Sequence, residues 1–389
     1  MGCDGRRYGQ VSSGPASSRP RGPGSRASDA ALYGEPIPTA ALLSFRLGGS
    51  DGVSVEAAKW RHALATLGFT TTTVAGSGPV DHVLPGLSIG ADEPPLGSEL
   101  VSALEDADLV VVENLCSLPL NPRAAALVGE VLAGRPAVLH HHDLAWQRPG
   151  FDGHPPPPTD ARWSHVTINE LSRRQLAERG VRATTVYNSF DTGRPEPDRC
   201  SPAGPDGRRR RAVRSSLGIG AHALLVLQPT RAIPRKNIAG GLGVATELGA
   251  TFWLLGPAED GFGPELDALV DQARCPVVLG PAPDQVGTGA EDAYLACDVV
   301  TLPSTWEGFG NPTIESVVHR RPLAIGPYPV ASELAAFGFD WFGLSETDRL
   351  RHWLEAPDPA LLEHNLAVAS AHFSLEDLPD RIAAVLPPW

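Results

Sequence analysis

The sequence predicts an α/β protein built from two doubly wound, Rossmann-like domains facing each other across a cleft. Three observations carry this reading. Short apolar runs alternate with amphipathic helical stretches, first from about residue 40 and again from about residue 224. Between the two series, around Thr192 to Gly220, the composition turns to Pro, Gly, Asp and Arg. The chain has 389 residues, more than the ~250 to 300 at which a single core stops growing. Alternating strands and helices imply parallel sheets, and such sheets bind ligands at the carboxyl ends of their strands.

Residues 1–38 are rich in Gly, Ser, Pro and Arg and lack an apolar signal segment, so they read as a disordered leader. The first domain is expected over 39–195. Its first strand, Ala40 to Phe45, runs into the turn at Gly48 and Gly49 and then a helix from Ser54 to Gly68. Ser54 is the expected N-cap, Gly68 the stop, and Val55, Ala58, Ala63, Leu64 and Leu67 the inward face. Strands follow at Thr70 to Val74, Ala107 to Val112 and Pro136 to His140, the last two separated by a helix near Pro122 to Ala133. Ser164 to Thr167 and Thr184 to Tyr187 follow. Residues 196–220 are assigned to the linker. The second domain, 221–374, opens with strand Leu224 to Gln228 and a helix from about Asn237. Its later strands are Thr251 to Leu255, Val277 to Leu279, Asp298 to Leu302 and Pro322 to Ile325. Residues 375–389 read as a C-terminal helix.

Composition narrows the function. A net charge of -13 disfavours a general nucleic-acid binder, which needs an excess of Lys and Arg. Any anionic ligand must therefore be held by local features. No run approaches the ~18 apolar residues of a membrane span. Five cysteines, widely spaced and odd in number, argue against a disulfide framework and for a reducing cytoplasm. The run Arg208 to Arg211 reads as a solvated linker, the alternative being peripheral contact with anionic lipid or acceptor.

The densest chemical signal runs from Pro303 to Glu315, directly after a strand. Gly308 and Gly310 let backbone approach a ligand, and Pro312 suits the first turn of a helix whose N–H groups attract phosphate. Glu307 and Glu315, eight positions apart, are acceptors for paired hydroxyls on either side of that phosphate. The alternative is a surface turn with a solvated Glu. A second turn, Arg231 to Asn237, supplies cations that can neutralise a diphosphate leaving group, or else is a solvated basic turn. In the first domain, Gly48 and Gly49 follow a strand, and His140, His141 and His142 precede Asp143 at another strand end. Adjacent residues on a strand point to opposite faces, so three consecutive histidines do not share one metal ion. No metal site is assigned, and His141 is expected to be structural.

Together, Arg231 with Lys236, then Glu307 and Glu315 in Glu-Gly-Phe-Gly-x-Pro-x-x-Glu, resemble the retaining glycosyltransferases of family 4, which have the GT-B fold. The resemblance spans roughly residues 40 to 389. It implies that Arg231 and Lys236 bind the donor diphosphate, Glu315 the ribose, and Glu307 the transferred sugar. Phe309, Gly310, Asn311, Pro312 and Thr313 would line the donor pocket with Gly48 and Gly49, and His142 would touch the sugar. Asn311 replaces a residue that is often apolar in the family. The expected activity is transfer of a hexosyl group from a UDP- or GDP-sugar to a hydroxyl of a small-molecule, glycan or lipid-linked acceptor. The nucleotide sugar is a co-substrate, and no cofactor or metal is required. The alternatives are a nucleotide-sugar epimerase of the same fold and a non-catalytic sugar-nucleotide-binding module.

Overall fold

A computed structural model describes residues 37–49, 51–197, 204–282 and 289–388. Nearly all of the expected leader, together with Cys3 and Cys200, lies outside these residues.

The first lobe is a seven-stranded, wholly parallel sheet. Its strands are β1 (Thr39–Arg46), β2 (Thr70–Ser77), β3 (His82–Val83), β4 (Leu109–Glu113), β5 (Ala137–His141), β6 (Trp163–Thr167) and β7 (Ala183–Thr185). Their order is β3-β2-β1-β4-β5-β6-β7. β4 is buried along its whole length because helices cover both faces of the sheet. These helices are α1 (Gly52–Thr66), α2 (Gly97–Ala103), α3 (Pro122–Leu132) and α4 (Glu170–Glu178).

Two details of α1 differ from expectation. Asp51 is the N-cap, accepting from Ser54 N–H at 3.3 Å, so Ser54 lies inside the first turn. The buried face is Ser54, Glu56, Ala57, Trp60, Ala63 and Leu64, while Ala58 is exposed. The large Trp60 sets this orientation by packing, tilted, against His140, ring centroids 4.3 Å apart.

The second lobe repeats the plan with six parallel strands, β8 (Leu225–Gln228), β9 (Thr251–Leu254), β10 (Val277–Leu279), β11 (Val299–Leu302), β12 (Leu323–Ile325) and β13 (Phe342–Gly343). The order is β10-β9-β8-β11-β12-β13. Residues 196–220 are not all linker: Pro205–Ser216 form a helix, α5. Its Arg210 donates to the carbonyls of Leu295, Ala296 and Cys297, and Arg214, buried, reaches Asp298 and the carbonyls of Gly220, Ala223 and Ala296. The basic run is thus a staple on the second lobe. Helices α6 (Ile238–Leu248), α7 (Gly263–Asp271), α8 (Ala290–Ala296), α9 (Pro312–Val318), α10 (Pro329–Ala335), α11 (Thr347–Glu355) and α12 (Pro359–Phe373) flank the sheet.

The chain passes between the lobes side by side with itself. Phe190 N–H donates to Phe373 O at 2.8 Å and Leu375 N–H to Phe190 O at 2.8 Å. The final helix, α13 (Leu378–Ala383), returns to the first lobe, where Leu378, Ile382 and Val385 join the core around Ala57, Trp60 and Leu64. No described helix is long and apolar enough to cross a membrane.

In each sheet the strand order reverses beside the first strand, between β1 and β4 in one lobe and between β8 and β11 in the other. Such switch points are where doubly wound sheets open a crevice. The loops after β8 and β11 open at one such switch point, and across from them stand the loops after β4 and β5.

Candidate active site

Three loops meet at the cleft. After β8, the chain makes a 3-10 turn at Pro234–Lys236 and enters α6 through Asn237, whose backbone is left-handed (φ 47). The Asn237 side chain accepts from Gly240 N–H and donates to Pro303 O at 3.1 Å, tying this loop to the one after β11. Gln228, buried at the end of β8, holds Lys236 O at 2.9 Å. Lys236 is thereby fixed with its ammonium 2.5 Å from Glu307 Oε1, and Ser304 donates to that same oxygen at 2.6 Å. Arg235 takes Glu307 Oε2 at 3.0 Å and Trp306 O at 2.9 Å. Burial lowers the Lys236 pKa, opposed by the adjacent Glu307 carboxylate. Two cations and one nearly buried carboxylate thus share a compact site.

Beyond Glu307, Gly310 has φ 89 and lies against the Tyr328 hydroxyl, which donates to Phe309 O at 3.1 Å. The backbone N–H groups of Phe309, Gly310 and Asn311 have no acceptor among the described residues, so three donors at the mouth of α9 are available to an anion. Glu315, on α9, accepts from Tyr294 Oη at 2.6 Å, and burial raises its pKa.

From the first lobe comes the end of β5. A Cβ at Gly308 would stand 2.5 Å from His142 O, so the donor loop presses directly on His142. Asn169 Nδ2 donates to Gly308 O at 2.5 Å, and Asn188 Nδ2 to Asn311 Oδ1 at 2.8 Å. Asp143 is paired with Arg148 at 2.6 Å; burial would raise its pKa, but Arg148, with Arg235 opposite, lowers it. His142 Nε2 lies 2.7 Å from Glu113 Oε2, and its backbone N–H donates to Asn114 Oδ1 at 3.1 Å.

The structure therefore brings His142, Glu307, Lys236, Gly310 and Asn311 together, with Glu315 further along α9. Other expected residues stand differently. Arg231 pairs with Glu259 at 2.5 Å rather than with Glu307. The Phe309 ring lines no pocket: it is buried among Phe190, Phe373 and Tyr187 where the lobes join, leaving only its backbone toward the site. Thr313 is fully buried and donates to Gly310 O at 2.8 Å, which shapes the loop, and Pro312 is buried beside it. Gly48 and Gly49 lie at the same sheet edge as His142. Gly48, at φ 77, packs on Pro79, and no described contact joins the pair to the donor loop.

Glu113, Asn114, Asn169, Asn188 and Tyr294 are not among the site residues expected from the sequence, and Arg235 is expected only as one of the cations of the Arg231 to Asn237 turn. Arg235 was legible from its place in the cationic turn, and Glu113 and Asn114 from their place at a strand end. The other three are recruited by tertiary packing alone.

His140 and His142 share one face of β5, whereas His141 points the other way to Ser117 (2.6 Å) and His165 (3.0 Å). Among the described residues, Glu113, His140 and His142 form the one group with metal-ligand spacing, their atoms within 4.8 Å. Both histidines aim at a single carboxylate oxygen, at 2.9 and 2.7 Å. These are hydrogen-bond lengths, which fit two N–H donors on a shared acceptor.

No family model matches the chain. It is 26% identical to the mannosylglucosylglycerate synthase of Thermotoga maritima, over 89% of this chain and 99% of that protein. Its identity to the Petrotoga mobilis enzyme of the same name is also 26%, over 77% and 85%. Among solved structures it resembles Anabaena HepE in complex with UDP and glucose (TM-score 0.66, 18% identical, 89% of this chain and 98% of that one). It also resembles the sucrose-phosphate synthase of Thermosynechococcus elongatus (TM-score 0.61, 14% identical, 89% and 98%). A third likeness is to WaaG, a glycosyltransferase involved in lipopolysaccharide biosynthesis (TM-score 0.57, 13% identical, 89% and 99%). The architecture is accordingly GT-B, two parallel-sheet α/β domains, and the chain is an enzyme of the glycosyltransferase kind.

Proposed function

We propose that this enzyme is a retaining hexosyltransferase, similar to family 4, that uses a UDP- or GDP-sugar as donor. The observation that carries the reading is the joining of Glu307, Arg235 and Lys236 at the switch point of the second lobe, pressed through Gly308 against His142 at the end of β5 in the first. In this reading the diphosphate lies on Arg235, Lys236 and the backbone N–H groups of residues 309–311, and Glu315 takes the ribose. As the bond from C1 to the phosphate oxygen breaks, its electron pair goes to the diphosphate, whose charge the cations stabilise. The acceptor oxygen bonds to C1 on the same face and passes its proton to the departing phosphate, so no metal is needed.

The names of the two relatives denote synthesis of mannosylglucosylglycerate, so a glucosylglycerate acceptor with a mannosyl donor is the first pair to test. A cytoplasmic location belongs to the same proposal, supported by the free thiols of Cys116 and Cys275. A thermal-shift screen of UDP-, GDP- and ADP-sugars identifies the donor, because a bound ligand raises Tm by mass action. Proton NMR of the product reads the anomeric configuration. Inversion, or complete and reversible loss of transfer in EDTA, would refute the proposed mechanism. Conversion of donor to a new sugar nucleotide without acceptor would identify an epimerase.

A further inference from the structure

We propose that Glu113 and Asn114, consecutive at the end of β4, are positioning residues that fix the ring orientation of His142 and seat its backbone against the donor loop. Two separate sets of contacts carry this. Glu113, fully buried, accepts His140 Nδ1 at 2.9 Å and His142 Nε2 at 2.7 Å through the same oxygen. Asn114 Oδ1 accepts the backbone N–H of both His142 and Asp143, each at 3.1 Å. Asn114 does this from a left-handed backbone, φ 60, a conformation that costs energy in any residue but Gly. A carboxylate ending the apolar strand Leu109–Val112 adds nothing to packing, and burying it is costly unless it is paired.

The consequence for His142 follows from the inventory of donors. An ionised carboxylate only accepts, so Nε2 of His142 must carry the proton in both charge states. Nδ1 is then the nitrogen left for substrate, a donor when the ring is charged and an acceptor when it is neutral. Burial pushes the Glu113 pKa up, but His140 and His142 bring it down to about 2, so it stays ionised. Burial pushes His142 down, and Glu113, helped by Glu56 and Asp143, more than restores it. The other charged groups facing His142 are Glu56 on α1, itself paired with Lys59 at 2.5 Å, and His140 and Asp143 on its own segment. Arg148 and Arg235 lie behind Asp143. The arrangement has the logic of a ligating or catalytic histidine whose second nitrogen is held by a carboxylate.

The test uses ring 15N NMR on the full-length protein from pH 5 to 9, with His142→Gln for assignment. Expected in the wild type is a His142 midpoint above ~6.5 with Nε2 protonated throughout. Glu113→Gln should lower that midpoint by at least about one pH unit. Asn114→Gly, which tolerates the positive φ but removes Oδ1, should leave it in place. The role in turnover rests on the hexosyltransferase reading. There, Glu113→Gln should lower kcat about 10- to 100-fold with donor KM within about threefold, and its pH–rate limb should move with the NMR midpoint. Asn114→Gly should lower kcat without moving that limb. A wild-type midpoint below ~6.5, an unshifted midpoint in Glu113→Gln, an undiminished kcat, or a stoichiometric metal lost in Glu113→Gln would each overturn the proposal. If the wild type turns over no nucleotide sugar, the functional reading fails while the NMR result still decides the positioning claim. If Glu113→Gln does not fold, the wild-type midpoint decides alone.

Discussion

Gly308→Ala tests whether the contact between the lobes is part of catalysis. The added Cβ would stand 2.5 Å from His142 O, with Asp143 Oδ1 at 3.3 Å and Ile168 Cδ1 at 3.6 Å. Real Cβ contacts do not fall below 3.0 Å, so the donor loop and the end of β5 must separate by at least about 0.5 Å. The first neighbour is backbone and cannot swing aside. The hydrogen bond from Asn169 to Gly308 O, 2.5 Å long, resists the same movement. A displacement approaching 1 Å between catalytic groups costs about 10²-fold in rate. The expected fall in kcat/KM is therefore roughly 100-fold, about 2.7 kcal/mol of transition-state stabilisation. The assay is steady-state transfer with the donor found by thermal shift, alongside urea unfolding to show that the fold persists. The sheets of both lobes keep their cores and only the seam near Ile168 is disturbed, so the unfolding midpoint should fall only slightly. Transfer within about threefold of wild type would refute the claim that this contact sets the reaction geometry.

Three further predictions follow from the same geometry. Tyr294→Phe removes the hydroxyl that orients Glu315 at 2.6 Å and should weaken nucleotide binding about tenfold by calorimetry, since hydrogen bonds to charged groups contribute about 1.5–3 kcal/mol. Arg214→Ala leaves Asp298 with Arg210 and the Leu225 N–H but takes the guanidinium from the Ala223 carbonyl and from one Asp298 oxygen, so urea unfolding should show a loss of about 1–3 kcal/mol. His165, brought down to about 4 by burial, takes up protons more readily when unfolded, so the stability tied to it is present above ~6.5 and lost as pH falls toward 4. The stability gap between pH 8 and pH 5 should therefore be about 2 kcal/mol larger in the wild type than in His165→Asn.

The repeating alternation of apolar strand and amphipathic helix is dictated locally, which is why, although the two-residue edge strands β3 and β13 were too short to show, most strands of both sheets were legible before any contact was known. Residues whose roles depend on a partner elsewhere in the chain were not. Arg208 to Arg211 look like solvated linker because neighbouring Pro and Gly break the pattern. Only when the carbonyls of residues 295–297 come alongside does a helix carrying Arg210 and Arg214 become favourable. Trp60 and Glu56 join Ala63 and Leu64 on the buried face of α1, and Ala58 turns outward, because a histidine ring and a lysine await them. Phe309 sits inside a glycine-rich motif that suggests ligand contact, yet aromatic side chains from two other segments, Tyr187 with Phe190 and Phe373, claim its ring.

The return of α13 to the first lobe also orders events during synthesis. Leu378 follows its core neighbour Trp60 by 318 positions. At about 5–20 residues per second, that interval lasts roughly 15–60 s on the ribosome. Throughout it the Trp60 side of the first lobe lacks the three apolar side chains that close it. The second lobe, whose strands and helices are contiguous from Pro205 to Phe373, can be complete before the first is sealed. Chaperones and proteases thus meet a nascent chain whose amino-terminal half is the later one to finish.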